Sequence, residues 1–81
     1  MKLPPVVEVE WIDSCAGPGW RSPNEAADWI KDIQTYFSAG YLISKTKEEV
    51  TIATGISTRS GRTHDLFQIP RACVLKIKKV K

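Results

Sequence analysis

The sequence predicts a mainly β domain with one α-helix, an α+β chain built as a small five-stranded antiparallel barrel. Three observations carry that expectation. Apolar and polar residues alternate in several short runs, the period of a half-buried strand. A single stretch, after "SPNE", carries a helical period instead. The chain has 81 residues, one domain over residues 1–81, near the lower limit for a self-sufficient core. So short an antiparallel sheet hides its apolar face best by curling on itself.

The elements follow in order. Pro4 and Pro5 keep the N-terminus extended. "VVEVEWID" then alternates, with Val7, Val9 and Trp11 on one face and Glu8 and Glu10 on the other, a half-buried first strand. "CAGPG" ends it, since Gly17 and Gly19 admit turn dihedrals and Pro18 donates no ladder hydrogen bond. "SPNE" sets Ser22 at an N-cap, Pro23 at the first helical position and Glu25 at the third, a capping box. Ala26, Trp29, Ile30, Ile33 and Phe37 follow at the spacing of one helical stripe. A helix over about 23–36 is therefore expected between strands 1 and 2, with Gly40 beyond its end.

After Gly40 the period shortens to two. "GYLISK" and "VTIATGIS" read as strands joined by the charged turn "TKEE". "STRSGRTH" reads as a polar loop, "DLFQI" as a fourth strand and "PRA" as a tight 3₁₀-like turn. "CVLKIKKV" is the last strand, with Leu75 and Ile77 facing in and Lys76 and Lys78 facing out.

The ending "DLFQIPRACVLKI" resembles the strand, tight turn and strand that close Src-homology-3-like and Sm-like small barrels. The resemblance spans roughly residues 38–81 and the first strand, and implies a barrel of that type. A capped helix stands where Sm-like proteins have a short loop, so no residue of the Sm-like uridine pocket is carried over. The chain is also similar in style to small accessory proteins of tailed bacteriophages, through "VEVEWIDS", "GW" and "IPRACVLKI". That likeness implies a phage origin; proteins of that kind with an assigned role often block host defence factors or sequester nucleotide signals.

Charge and cysteines bound the function. The net charge is +3, and its excess is local: Lys76, Lys78, Lys79 and Lys81 load the C-terminus, while Arg59, Arg62 and His64 share one polar stretch. Such a pattern suits phosphates or an acidic partner without reaching the density of a dedicated nucleic-acid arm, and a solvated surface explains it equally well. With two cysteines, Cys15 and Cys73, and no apolar leader in "MKLPPVVEVE", both thiols are expected to be free in a reducing compartment. The cytoplasm is expected, that of the host cell if the protein is phage-encoded. No apolar run approaches a membrane span of about 20 residues.

The chemistry-bearing residues point to binding. Ser14 or Cys15 with His64 and Asp13 or Asp65 has the composition of a nucleophilic triad, yet "DSCAG" lacks the glycine pattern of a nucleophile elbow. Cys15, Cys73 and His64 lack metal-ligand spacing, so neither a metal nor a cofactor is expected. "GPGWRS" lacks the spacing and lysine of a phosphate loop, and Ser22 and Glu25 already occupy amides at the helix start. Trp20 belongs to no periodic face; with Arg21 it suits stacking on a base beside a phosphate. Trp11 and Trp29 fall on core faces.

The sequence thus predicts a non-enzymatic binding module. Its ligand-binding residues would be Trp20, Arg21, Arg59, Arg62, His64, Lys76 and Lys78, on a phosphate-bearing ligand, either nucleic acid or a nucleotide. The alternative is a phage-type inhibitor or adaptor that docks on a host protein. Short sheets leave exposed edges, so self-association into a dimer or small ring is also expected.

Overall fold

Val7 and Val9 are buried and alternate with Glu8 and Glu10, which makes β1 (Val6–Ile12) the half-buried strand its sequence predicts. A computed structural model describes residues 2–13, 19–30 and 34–80, the side chains of Trp29 and Ile30 excepted. After β1 come α1 (Pro23–Ile30), β2 (Thr35–Lys45), β3 (Glu49–Ile56), β4 (Thr63–Pro70), a 3₁₀ turn (Arg71–Cys73) and β5 (Val74–Lys79). All five strands join one antiparallel sheet in the order β4-β3-β2-β1-β5.

The long strand β2 is the hinge of this sheet. Its first half pairs with β1, from Ile12↔Thr35 to Val6↔Tyr41, and its second half pairs with β3, from Tyr41↔Ala53 to Lys45↔Val50. Gly40 lies at the changeover, where a Cβ would fall 2.5 Å from the Ala53 carbonyl oxygen. Two bulges add curl. Ile43 is extra between the Leu42↔Ile52 and Ser44↔Thr51 pairs, and Leu75 between Lys76↔Glu10 and Val74↔Trp11.

Inside the curl, Val7, Val9, Val50, Ile52 and Ile69 form the buried cluster, with Trp11, Leu42, Cys73, Val74 and Ile77 packed against it. The expected barrel does not close: β4 and β5 remain the two edges, with no ladder between them. Side chains bridge the gap instead. Trp11 of β1 meets Phe67 of β4 edge-on, with ring centroids 5.3 Å apart. A cavity of about 210 Å³ lies there, between Trp11–Asp13 on one side and Phe67–Pro70 with Cys73 on the other. Ring closure needs strand tilt and register to agree around the whole sheet.

Three further expectations need correction. The helix does not run to residue 36, because Thr35, Tyr36 and Phe37 are strand residues of β2. All three are good strand formers, and β1 offers them partners in Ile12, Trp11 and Glu10. Residues 31–33 lie outside the described residues, and with them Ile33 of the expected stripe. His64 belongs to β4, not to the loop, because it pairs with Gly55. Leu75 does not face inward; the bulge turns it out and leaves it 55% exposed.

The capping box forms as expected. The Ser22 amide donates to Glu25 Oε1 (3.3 Å) and the Glu25 amide donates to Ser22 Oγ (3.2 Å), while the Ala26 amide closes the first turn on the Ser22 carbonyl (2.9 Å). Of the described side chains of α1, only Ala26 is even half-buried.

Candidate functional site

The register decides the surroundings of the basic last strand. Lys76 stands directly opposite Glu10, and Lys78 directly opposite Glu8, on the outer face of β5 and β1. Opposite charges so placed attract across the ladder. Both lysines therefore have a carboxylate neighbour, which lowers the positive potential of that face. Lys79, opposite Val7, borders instead an open groove of about 560 Å³ with Lys2, Leu3, Pro5 and Tyr41.

Arg59 and Arg62 sit on the turn between β3 and β4. The Ser57 amide donates to the Arg62 carbonyl (2.9 Å) and the Gly61 amide to the Ser57 carbonyl (2.8 Å). Gly61 takes a φ of +75°, which its lack of a Cβ permits. The Ser57 and Ser60 hydroxyls accept from the Ser60 and Arg62 amides (both 3.2 Å). β3 stops pairing with β2 at Ala53, so the hairpin beyond it is a two-stranded ribbon carrying both guanidiniums at an exposed tip.

His64 is on the same ribbon. Thr54 Oγ1 donates to the His64 carbonyl (3.0 Å) and lies 3.2 Å from Nδ1 of the ring. Asp65 Oδ2 lies 3.5 Å from the same nitrogen. Asp65 itself has φ +50°, an uncommon conformation outside glycine that aspartate tolerates better than most residues.

Trp20 and Arg21 precede the helix cap, and Trp20 is fully exposed, at 103% of its reference area. Gly19 before them takes φ +91° with open space around it. Because Ser22 and Glu25 satisfy each other, the helix start offers fewer free amides to an anion. The seven predicted residues thus form three groups: Trp20 with Arg21, the hairpin tip, and the face of β5.

The aromatic cluster on the concave face is legible only in part from sequence. Trp11 stacks on Tyr36 with centroids 5.0 Å apart, meets Phe67 edge-on and donates its Nε1–H to Ser38 Oγ (3.0 Å). The sequence assigns Trp11 to the core but leaves Tyr36 at a helix end; the strand formers Thr35, Tyr36 and Phe37 hint at β structure, and pairing with β1 places Tyr36 beside Trp11. Another network is invisible in sequence. The Thr51 and Ser44 hydroxyls (the latter at 2.7 Å) donate to Glu49, as does Thr46 more weakly, while the Glu48 and Glu49 amides donate to Thr46 Oγ1. These hydroxyl bonds, Thr51 first and Ser44 next, hold the Glu49 carboxyl below its ordinary range against an opposing effect of desolvation.

Ser14 and Cys15, the expected nucleophile candidates, lie outside the described residues. Cys73 is a half-buried free thiol against the core. Among the described residues, no three His, Cys, Asp or Glu side chains gather as a metal site, and no helix is long and apolar enough to cross a membrane.

Fold and surface define a class: a small, mainly β, single-sheet protein with an open curl, a basic hairpin and, among the described residues, a fully exposed tryptophan. The chain matches no protein-family model, no curated protein and no solved structure.

Proposed function

We propose that this chain is a non-enzymatic binding module that docks on another protein, an open-edged relative of the Src-homology-3-like and Sm-like small barrels. The fully exposed Trp20 beside Arg21 carries this reading. Tryptophan and arginine are the residues that most often dominate protein interfaces, and free water contact around an indole is the state that docking relieves. The pairing of Lys76 and Lys78 with glutamates supports the same choice, since it leaves less unneutralised charge for a phosphate backbone. The 3₁₀ turn between β4 and β5 supports the kinship with small barrels, and the style of the sequence supports an inhibitor or adaptor of phage type acting in a host cell.

The test compares capture of host-cell protein by the wild type and by Trp20→Ala, each at low and high salt. A docked protein retained by the wild type at both salts and lost from a folded Trp20→Ala is the expected result. Equal retention by both proteins removes Trp20 from the interface and sinks the reading.

A second reading has its own observation. Arg59 and Arg62 project together on an exposed ribbon, and there they suit a phosphate-bearing ligand, nucleic acid or nucleotide. Under this reading binding weakens steeply with salt, and its carriers are the hairpin arginines.

A further inference from the structure

The two edges of the sheet are chemically unlike. β5 displays Lys76, Lys78 and Lys79 within six residues and is broken by the Leu75 bulge. Charge and irregularity of this kind guard an edge against pairing with another chain. β4 has no lysine or arginine from Thr63 to Pro70. It shows Leu66 (59% exposed) and Phe67 (39% exposed) instead, and among the described residues no strand pairs with its outer edge.

The unguarded stretch is short and bounded. Upstream, the ladder to β3 steps from Leu66 to His64 past Asp65, whose φ of +50° breaks the extended backbone. Downstream, Pro70 has no amide to give. Between them lies a window of regular strand, Leu66–Ile69, whose side chains continue rows already present in the sheet. Phe67 extends the concave row through Ile52 and Leu42, and Leu66 extends the outer row through Ala53 and Tyr41.

We infer that the β4 edge is a self-association surface whose occupant is β4 of a second copy, joined antiparallel about a two-fold axis into one ten-stranded sheet. Closure argues for a second copy in this arrangement. An isologous β4–β4 contact uses both unguarded edges at once, stops at two chains and leaves the lysine-bearing β5 edges outermost. A head-to-tail contact would set the apolar window against lysines and leave a free edge at each end. A two-fold axis normal to the sheet keeps concave face beside concave face, so facing residues share parity. A register centred on Phe67 then sets Phe67 against the second copy's Phe67, and Leu66 against its Gln68.

The experiment is sedimentation of the whole chain at micromolar concentration, beside Leu66→Lys and a Lys76→Thr, Lys78→Thr control. The wild type and the control should sediment as two chains. Leu66→Lys should weaken association roughly 100-fold, because the added ammonium guards the edge and stands near its symmetry mate. A monomeric wild type, a larger closed ring, or dissociation caused by the β5 control overturns the inference. Amide hydrogen exchange at Leu66–Ile69 of the wild type covers the case where Leu66→Lys fails to fold. Exchange there should slow as concentration rises, and concentration-independent exchange also overturns the inference.

Discussion

Gly40 is glycine because the neighbouring strand leaves no room for a side chain. A Cβ there would lie 2.5 Å from the Ala53 carbonyl oxygen, a backbone atom that cannot swing aside. Gly40→Ala must push β2 from β3 at the point where β2 changes partner, and is expected to cost roughly 1–3 kcal/mol in a urea titration, the usual range for overpacking. At the other end of β3, Glu49 ties the β2–β3 turn together through three hydroxyls. Its carboxyl is held below the ordinary value of 4.5 in the folded chain. The sign follows directly. The contribution is fully present above the unfolded value and is lost as pH falls through the lower, folded one. Wild-type thermal midpoints should therefore exceed those of Glu49→Gln near neutrality and converge on them as pH drops through the carboxylate range. A gap that stays constant with pH would show that the hydroxyls do not favour the ionised form.

Among the elements, α1 shows how a strong local signal can describe a marginal part of the molecule. Its capping box was legible in four residues, because a cap depends only on side chains three positions apart. Yet eight residues make a weak helix on their own, and little of its described surface is buried. Ser22→Ala is expected to lower helix stability by roughly 0.5–2 kcal/mol, seen as faster amide exchange in α1. The cooperative unfolding midpoint of the sheet should barely move. A large shift of that midpoint would show that α1 belongs to the cooperative core. The errors at this scale have the opposite origin. Phe37 follows Ile33 at helical spacing but also belongs to a run of strand formers, "TYF", and only pairing with β1 settles which tendency wins. Leu75 fits an inward position until the bulge in β5 shifts it, and a bulge leaves no mark in a single strand's pattern.

For the whole molecule, the sequence revealed the strands and their order along the chain but not how far the sheet would curl. Closure depends on contacts such as Trp11 with Phe67, fifty-six positions apart in sequence (67 − 11). The candidate site divides along the same line. The exposure of Trp20 was readable, since no periodic face claimed it, whereas the glutamates opposite Lys76 and Lys78 are a consequence of register. The result is an extended object, with a radius of gyration of 16.6 Å against about 12 Å for a compact chain of this length. Its hairpin arginines stand away from Trp20 in sequence, so the two proposed modes of binding can be separated by mutation. Salt gives the readout. A ligand that neutralises its phosphates with Arg59 and Arg62 loses affinity with a slope set by the number of phosphates engaged, and removing both arginines should flatten a log–log plot by about 1.5–2. Docking through Trp20 predicts something different: no measurable oligonucleotide affinity for the wild type even at low salt, and an intact fold in both Trp20→Ala and the Arg59→Ala, Arg62→Ala double variant. Steep, salt-dependent oligonucleotide binding that the arginine variant flattens would transfer the function to the hairpin tip.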